Sequence, residues 1–128
     1  MIDQDLLAHI VALDTDAGAR VHIDTVPQET QFPVIAFRRS GGSNTPMTLD
    51  GIKLFTRTNI DVEVLAKRQE DAYPVALAVR DSLHGYVGAM GSTQVQSSRC
   101  ISEPSNISAV EGDKVFRGLV ASYLIVHR

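Results

Sequence analysis

Any chemistry in this chain would have to come from four histidines, one cysteine, a few clustered aspartates and a glycine pair. His9, His22, His84 and His127 are scattered. None stands at metal-ligand spacing from a carboxylate or another histidine, so they read as surface or packing residues. Asp14, Asp16 and Asp24 crowd together, but the turn and capping roles of aspartate account for them. Cys100 is alone, which excludes an internal disulfide and a cysteine metal site. A small, buried, unreactive side chain is the common state of such a cysteine. Gly41-Gly42-Ser43 opens like a phosphate loop but lacks the Gly-Lys-Ser/Thr that holds a nucleotide, and it leads into no helix. It reads as a mobile tip. No catalytic residue, cofactor-binding residue or metal ligand is assigned, and the expectation is a protein that is not an enzyme.

Arg38, Arg39 and Arg57 are a different case. If the segments that carry them pair, they form either a basic patch at an interface or a solvated sheet face. What positions them is the stretch Lys53–Gly85. Its first half places Leu54, Ile60, Val62, Val64 and Ala66 on one parity with Thr56 and Thr58, and Arg57, Asn59, Asp61 and Glu63 on the other. That is a strand with one dry and one polar face. In the second half the period changes. Ala72, Val75, Ala76, Val79 and Leu83 recur at helical steps, Asp71 is a candidate N-cap that would put Pro74 in the first turn, and Gly85 is a stop. The two dry faces are expected to pack on each other.

The chain has 128 residues, which predicts one domain (1–128) with a real core. With no tryptophan and few aromatics, that core is aliphatic. A formal charge of −3 gives no general attraction to nucleic acid or anionic membranes. No apolar run approaches the ~20 residues of a membrane span, and the start lacks a basic or secretory region, so a cytosolic site of synthesis and no membrane partner are expected.

Taken in order, Met1–Leu13 predicts a helix with Ile2, Leu6, Leu7, Ile10 and Leu13 on one face. A turn follows at Asp14–Gly18, then a short strand at Arg20–Val26 and another at Pro33–Arg39. Ser40–Gly51 reads as an extended hairpin loop. After the central strand and helix come a glycine-rich connection (Tyr86–Thr93), a strand (Gln94–Ile101) with Val95 and Ile101 on one parity, and a polar loop (Ser102–Gly112). The last strand, within Asp113–Arg128, is apolar on both parities: Val120, Leu124 and Val126 on one, Leu119, Tyr123 and Ile125 on the other. Such a strand is central in a covered sheet or buried by a partner chain. The sum is an α+β fold: an antiparallel-rich mixed β-sheet of about five strands, two packed helices and a long β-hairpin loop.

This order of features resembles the tail-completion (tail terminator) proteins of long-tailed bacteriophages, also found in prophages and gene transfer agents. The matching pieces are the opening helix, Pro27, Phe32-Pro33 with Val34–Phe37, the long loop, Ile60–Ala72 entering Ala76–Gly85, then Gln94–Ile101, Ser102–Asp113 and the closing Val115–Arg128. The resemblance covers nearly the whole chain, and its specificity lies in the combination. Ser40–Gly51 and the surroundings of Pro74 are its least typical parts.

The resemblance implies a structural virion protein with no cofactor. It would form a homohexameric ring on the head-proximal end of the tail tube, stop tube polymerisation, and meet the head–tail connector. DNA would pass through its lumen without specific binding, and assembly would take place in the host cytoplasm. On this footing Arg38, Arg39, Gly41, Gly42, Met47, Leu49, Arg57, Asn59, Asp61 and Glu63 are candidate contacts to neighbouring subunits or the tube. The alternatives are a head-completion or neck protein of the connector, and a small cytosolic ligand-binding or enzymatic domain with a pocket near Cys100, His84 or the arginines.

Overall fold

The computed structural model describes residues 2–24, 32–44, 56–111 and 114–128, and of residues 42–44, 108–111 and 114–116 the backbone alone. Two helices, α1 (Ile2–Ala12) and α2 (Gln69–Leu83), accompany six strands: β1 (Val21–Ile23), β2 (Val34–Asn44), β3 (Thr56–Ala66), β4 (Gly88–Met90), β5 (Thr93–Glu111) and β6 (Lys114–His127). The strands form one sheet in the order β1-β2-β3-β6-β5-β4, parallel between β1 and β2 and antiparallel elsewhere. The α+β class with two helices holds. The strand count is six rather than about five, because the glycine-rich connection contains β4.

The alternation in β3 does what it predicts. Thr58, Ile60, Val62, Val64 and Ala66 are buried. Opposite them on β6 stand Ile125, Tyr123, Ala121, Leu119 and Arg117, the first four buried. Ile35 and Phe37 of β2 extend the same layer. Onto it α2 lays Ala72, Val75, Ala76, Val79 and Leu83, all buried and all on the predicted face. From α1, Ile2, Leu6 and Ile10 join fully, and Leu7 and Leu13 partly. Each aliphatic side chain taken out of water here contributes about 1.5–3 kcal/mol. Leu54, expected to share the dry parity, lies outside the described residues.

Four boundaries differ from expectation. The strand expected over Arg20–Val26 is Val21–Ile23, with a bend at Asp24 and 25–26 outside the described residues. Helix α2 starts at Gln69, with Arg68 as an N-cap that makes no side-chain cap bond, so Asp71 lies inside the helix and Pro74 past its first turn. Pro74 is exposed, and the carbonyl it leaves without a helical partner can turn to water. The expected loop at Ser102–Gly112 is instead the second half of β5 up to Glu111, paired with β6 as far as Glu111 opposite Lys114. Ser40 to Asn44, expected within the hairpin loop, continue β2 opposite β3. The rest of that loop, 45–51, lies outside the described residues.

Strand β5 also breaks the shared parity of Val95 and Ile101. Register shifts between Val95 and Ser97 and between Cys100 and Ser102 each insert a residue. Val95 is therefore fully buried while Ile101 is 48% exposed. A bulge reverses the side-chain alternation downstream of it, which simple parity counting cannot anticipate.

Candidate functional site: the uncovered sheet face and its edges

Both helices pack on one face of the sheet. The other face has no described element across it, and the candidate residues collect there. Alternation sends Arg57, Asn59, Asp61 and Glu63 of β3 to this side, and the register lines them up with Val126, Leu124, Ser122 and Val120 of β6. Beyond β6 the rows continue into Ser97, Arg99, Ser102 and Ser105 of β5. Arg57 and Arg99 are exposed, and Asn59, Asp61, Glu63, Val120, Leu124 and Val126 are half-buried. The result is an aliphatic stripe along β6 bordered by arginines at one end and carboxylates at the other.

The acidic end is internally bonded. Arg38 Nη2 donates to Glu63 Oε1 at 2.5 Å, and the Ser122 hydroxyl donates to Asp61 Oδ1 at 2.7 Å. Arg39 does not join Arg38. One residue on, it points to the helical side, where its Nε donates to Asp3 Oδ1 of α1 at 3.0 Å. Arg57 lies four residues along β3 from Asp61, the partner of Arg38, or roughly 13 Å at ~3.3 Å per residue. The strands that carry the three arginines do pair, yet of the two readings offered for Arg38, Arg39 and Arg57 the single basic patch does not form. Alternation divides it between faces and register spreads it along the strands.

Gly41 sits at an irregularity in β2, where the register jumps between Arg39 and Gly41, with φ at +148°. An L side chain would be strained in that backbone, so glycine is what lets β2 bend here and continue. Gly42 pairs with Thr58. Met47 and Leu49 lie outside the described residues.

Several other polar groups have structural partners, whereas the buried His22 Nε2 and Ser98 hydroxyl have none among the described residues. His127 Nε2 and the Thr58 hydroxyl are 2.8 Å apart, both buried. His9 Nε2 meets the Ser82 hydroxyl at 2.7 Å and stacks edge-on with Tyr86, tying α1 to α2. Burial lowers the pKa of both histidines. His84 Nδ1 accepts the Cys100 amide at 3.0 Å, and the Cys100 thiol, half-buried and donating to the Ser102 carbonyl, is pushed up by burial. A thiol held in its protonated form is a poor nucleophile. The Arg80 guanidinium is held charged by Glu103 and Asp81. Asp5 has its pKa lowered, chiefly by the Thr93 hydroxyl. Among the described residues no group of three His, Cys, Asp or Glu side chains is placed to hold a metal ion, and no helix is long and apolar enough to cross a membrane.

The sheet edges went unnoticed in the sequence. On one flank, β1 covers β2 only from Ile35 to Phe37. On the other, β4 covers β5 only from Thr93 to Val95, and the His84–Gly85 turn adds bonds to Ser98 and Cys100. Past those points no described backbone group pairs with the outer side of either strand. The only sequence sign was the brevity of the flanking segments.

Comparison with known proteins agrees with this architecture. No curated protein matches the sequence. Among solved structures, a chain of the structure described as "Virion of native gene transfer agent (GTA) particle" shares the fold with a TM-score of 0.57. The match covers 99% of this chain and 92% of that one at 17% identity, so it speaks for fold. The family described as "Tail completion protein gp17" matches residues 4–119, from the first turn of α1 to the middle of β6. The chain belongs to this tail completion family and is a structural component of a phage-type virion tail.

Proposed function

We propose that the protein is the tail terminator: a single domain, six copies of which close a ring on the head-proximal end of the tail tube. The ring stops tube polymerisation and offers the surface to which the head connector joins, while DNA passes through the lumen without specific contacts. The observation that carries this reading is the family match over residues 4–119. The face that no described element covers supports it, because a half-apolar stripe of Val120, Leu124 and Val126 beside Arg57, Asn59, Asp61 and Glu63 is better suited to a protein contact than to bulk water. The function needs no catalytic group and no cofactor, and the net charge of −3 suits a channel through which a polyanion must slide.

The test is to mix the purified protein with tail tubes that lack their terminator and follow tube length and end structure by negative-stain microscopy. A terminator caps one end and halts elongation. Tubes that keep growing with bare ends refute the assignment. Binding to isolated connectors with no effect on tubes moves the protein to the neck.

A further inference from the structure

The two open edges are complementary in a way that determines how copies can join. Four strands share continuous rows. One row runs Asn44–Thr56–His127–Val95 and another runs Val34–Leu65–Gly118–Ile107, so these mark opposite ends of the sheet. Strand β2 runs from the second row to the first, and β5 runs the opposite way. The outer side of β2 is covered by β1 near the second row, and no described backbone group pairs with it from Arg38 to Asn44. The outer side of β5 is covered near the first row, and no described backbone group pairs with it from Ile101 to Glu111.

Among the described residues, each copy therefore carries two unpaired edges on opposite flanks, of opposite direction and displaced along the strands. Unpaired edges of this length are templates for another strand. We infer that the open half of β2 in one copy adds in antiparallel fashion to the open half of β5 in the next copy, so that a continuous sheet passes from subunit to subunit. This rests on the ring-forming reading above and gives it a contact. The two edges differ from each other, so the contact is heterologous, which a closed ring of more than two copies requires.

The displacement is consistent with closure. The middle of the open part of β2 (Gly41) lies in the row of Leu124, and the middle of the open part of β5 (Asn106) lies in the row of Leu119. Five residues of offset is roughly 17 Å, and four strands span ~19 Å, which inclines the strands by about 40° to the ring axis. Closed barrels incline theirs by ~35–45°. The irregularity at Gly41 and the shifts around Ser102 lie on these same two edges, where a strand must bend to follow a neighbour.

Two measurements on the full chain test the inference. Hydrogen exchange on the assembled protein, compared with the dissociated one, is expected to slow at least tenfold in peptides covering 38–44 and 101–111, with β1 and β4 unchanged. On a Cys100→Ser background, Ser40→Cys chains mixed with Ser105→Cys chains are expected to be linked by a short bis-maleimide only in mixed pairs. Links between two S40C chains or two S105C chains would overturn head-to-tail pairing. Assembly without protection of these peptides would overturn the edge contact and leave the terminator reading standing. A chain that stays monomeric at all concentrations and fails to cap tubes overturns both.

Discussion

The two faces of strands β3 and β6 are built from the same two runs of sequence and behave in opposite ways. On the helical face, Ile60 opposes Tyr123, Val62 opposes Ala121 and Val64 opposes Leu119, all almost fully buried. On the other face, Asn59 opposes Leu124, Asp61 opposes Ser122 and Glu63 opposes Val120, and no described element covers them. Strand β3 separates its residues cleanly into dry and polar. Strand β6 does not, because its open side is as aliphatic as its covered one. With Val120, Leu124 and Val126 only half-buried on a side that no described element covers, β6 gains less for its own folding there than on the helical face. The difference locates stability on the helical face and leaves the other as the face we propose for recognition.

The contrast should appear first as a difference in stability. Ile60→Ala removes buried methyl groups beneath α2 and is expected to cost about 2–5 kcal/mol. Denaturant unfolding reads this directly. A cost below ~1 kcal/mol would mean the covered face is not the core. Next, Gly118→Ala would drive its Cβ into the Val64 backbone carbonyl on β3. Overpacking of this kind costs about 1–3 kcal/mol, visible as a lowered thermal midpoint.

Leu124→Asp, on the open side of the same strand, sharpens the comparison. Its stability should change by less than ~1 kcal/mol, since a half-exposed site can rehydrate. Its capping of tail tubes should weaken at least tenfold. An unfolded L124D chain would mean that the open face is part of the core after all.

The smallest effect is the pH response. His9 and His127 have folded pKa values below the ordinary 6.5 because burial disfavours the imidazolium. The unfolded chain therefore takes up protons first. Stability should be level above pH 7, fall as pH drops through 6.5, and level off again below the folded values. Asp5 adds a second loss at lower pH, since its depressed pKa contributes stability that is present above 3.8 and disappears as pH falls through the folded value. Denaturation midpoints between pH 7.5 and 5.5 check the first step. A double H9Q/H127Q variant should flatten it.

The periodic parts of this fold were legible in the sequence and the aperiodic ones were not. The buried face of α2 was readable residue by residue, as was the dry parity of β3, because local alternation carries that information. The start of α2 was misplaced because Pro74 suggests a first turn, whereas an exposed proline is tolerated further in. Strand β4 is three residues with no pattern to find. The second half of β5, rich in serine with Pro104 and Asn106, looks like a loop, and it becomes a strand through non-local pairing with β6. The interface candidates divided in the same way. Asn59, Asp61 and Glu63 shared a face as alternation requires, while Arg38 and Arg39 separated because neighbours in a strand must point apart.

The most direct test of the central claim is the solution mass by light scattering across a concentration range, with and without tail tubes, accompanied by negative-stain images. Six copies of 13.9 kDa give about 83 kDa in a closed ring, free or seated on a tube end, and that is the predicted result. A chain that stays at 13.9 kDa in both conditions and leaves tube ends bare would contradict it.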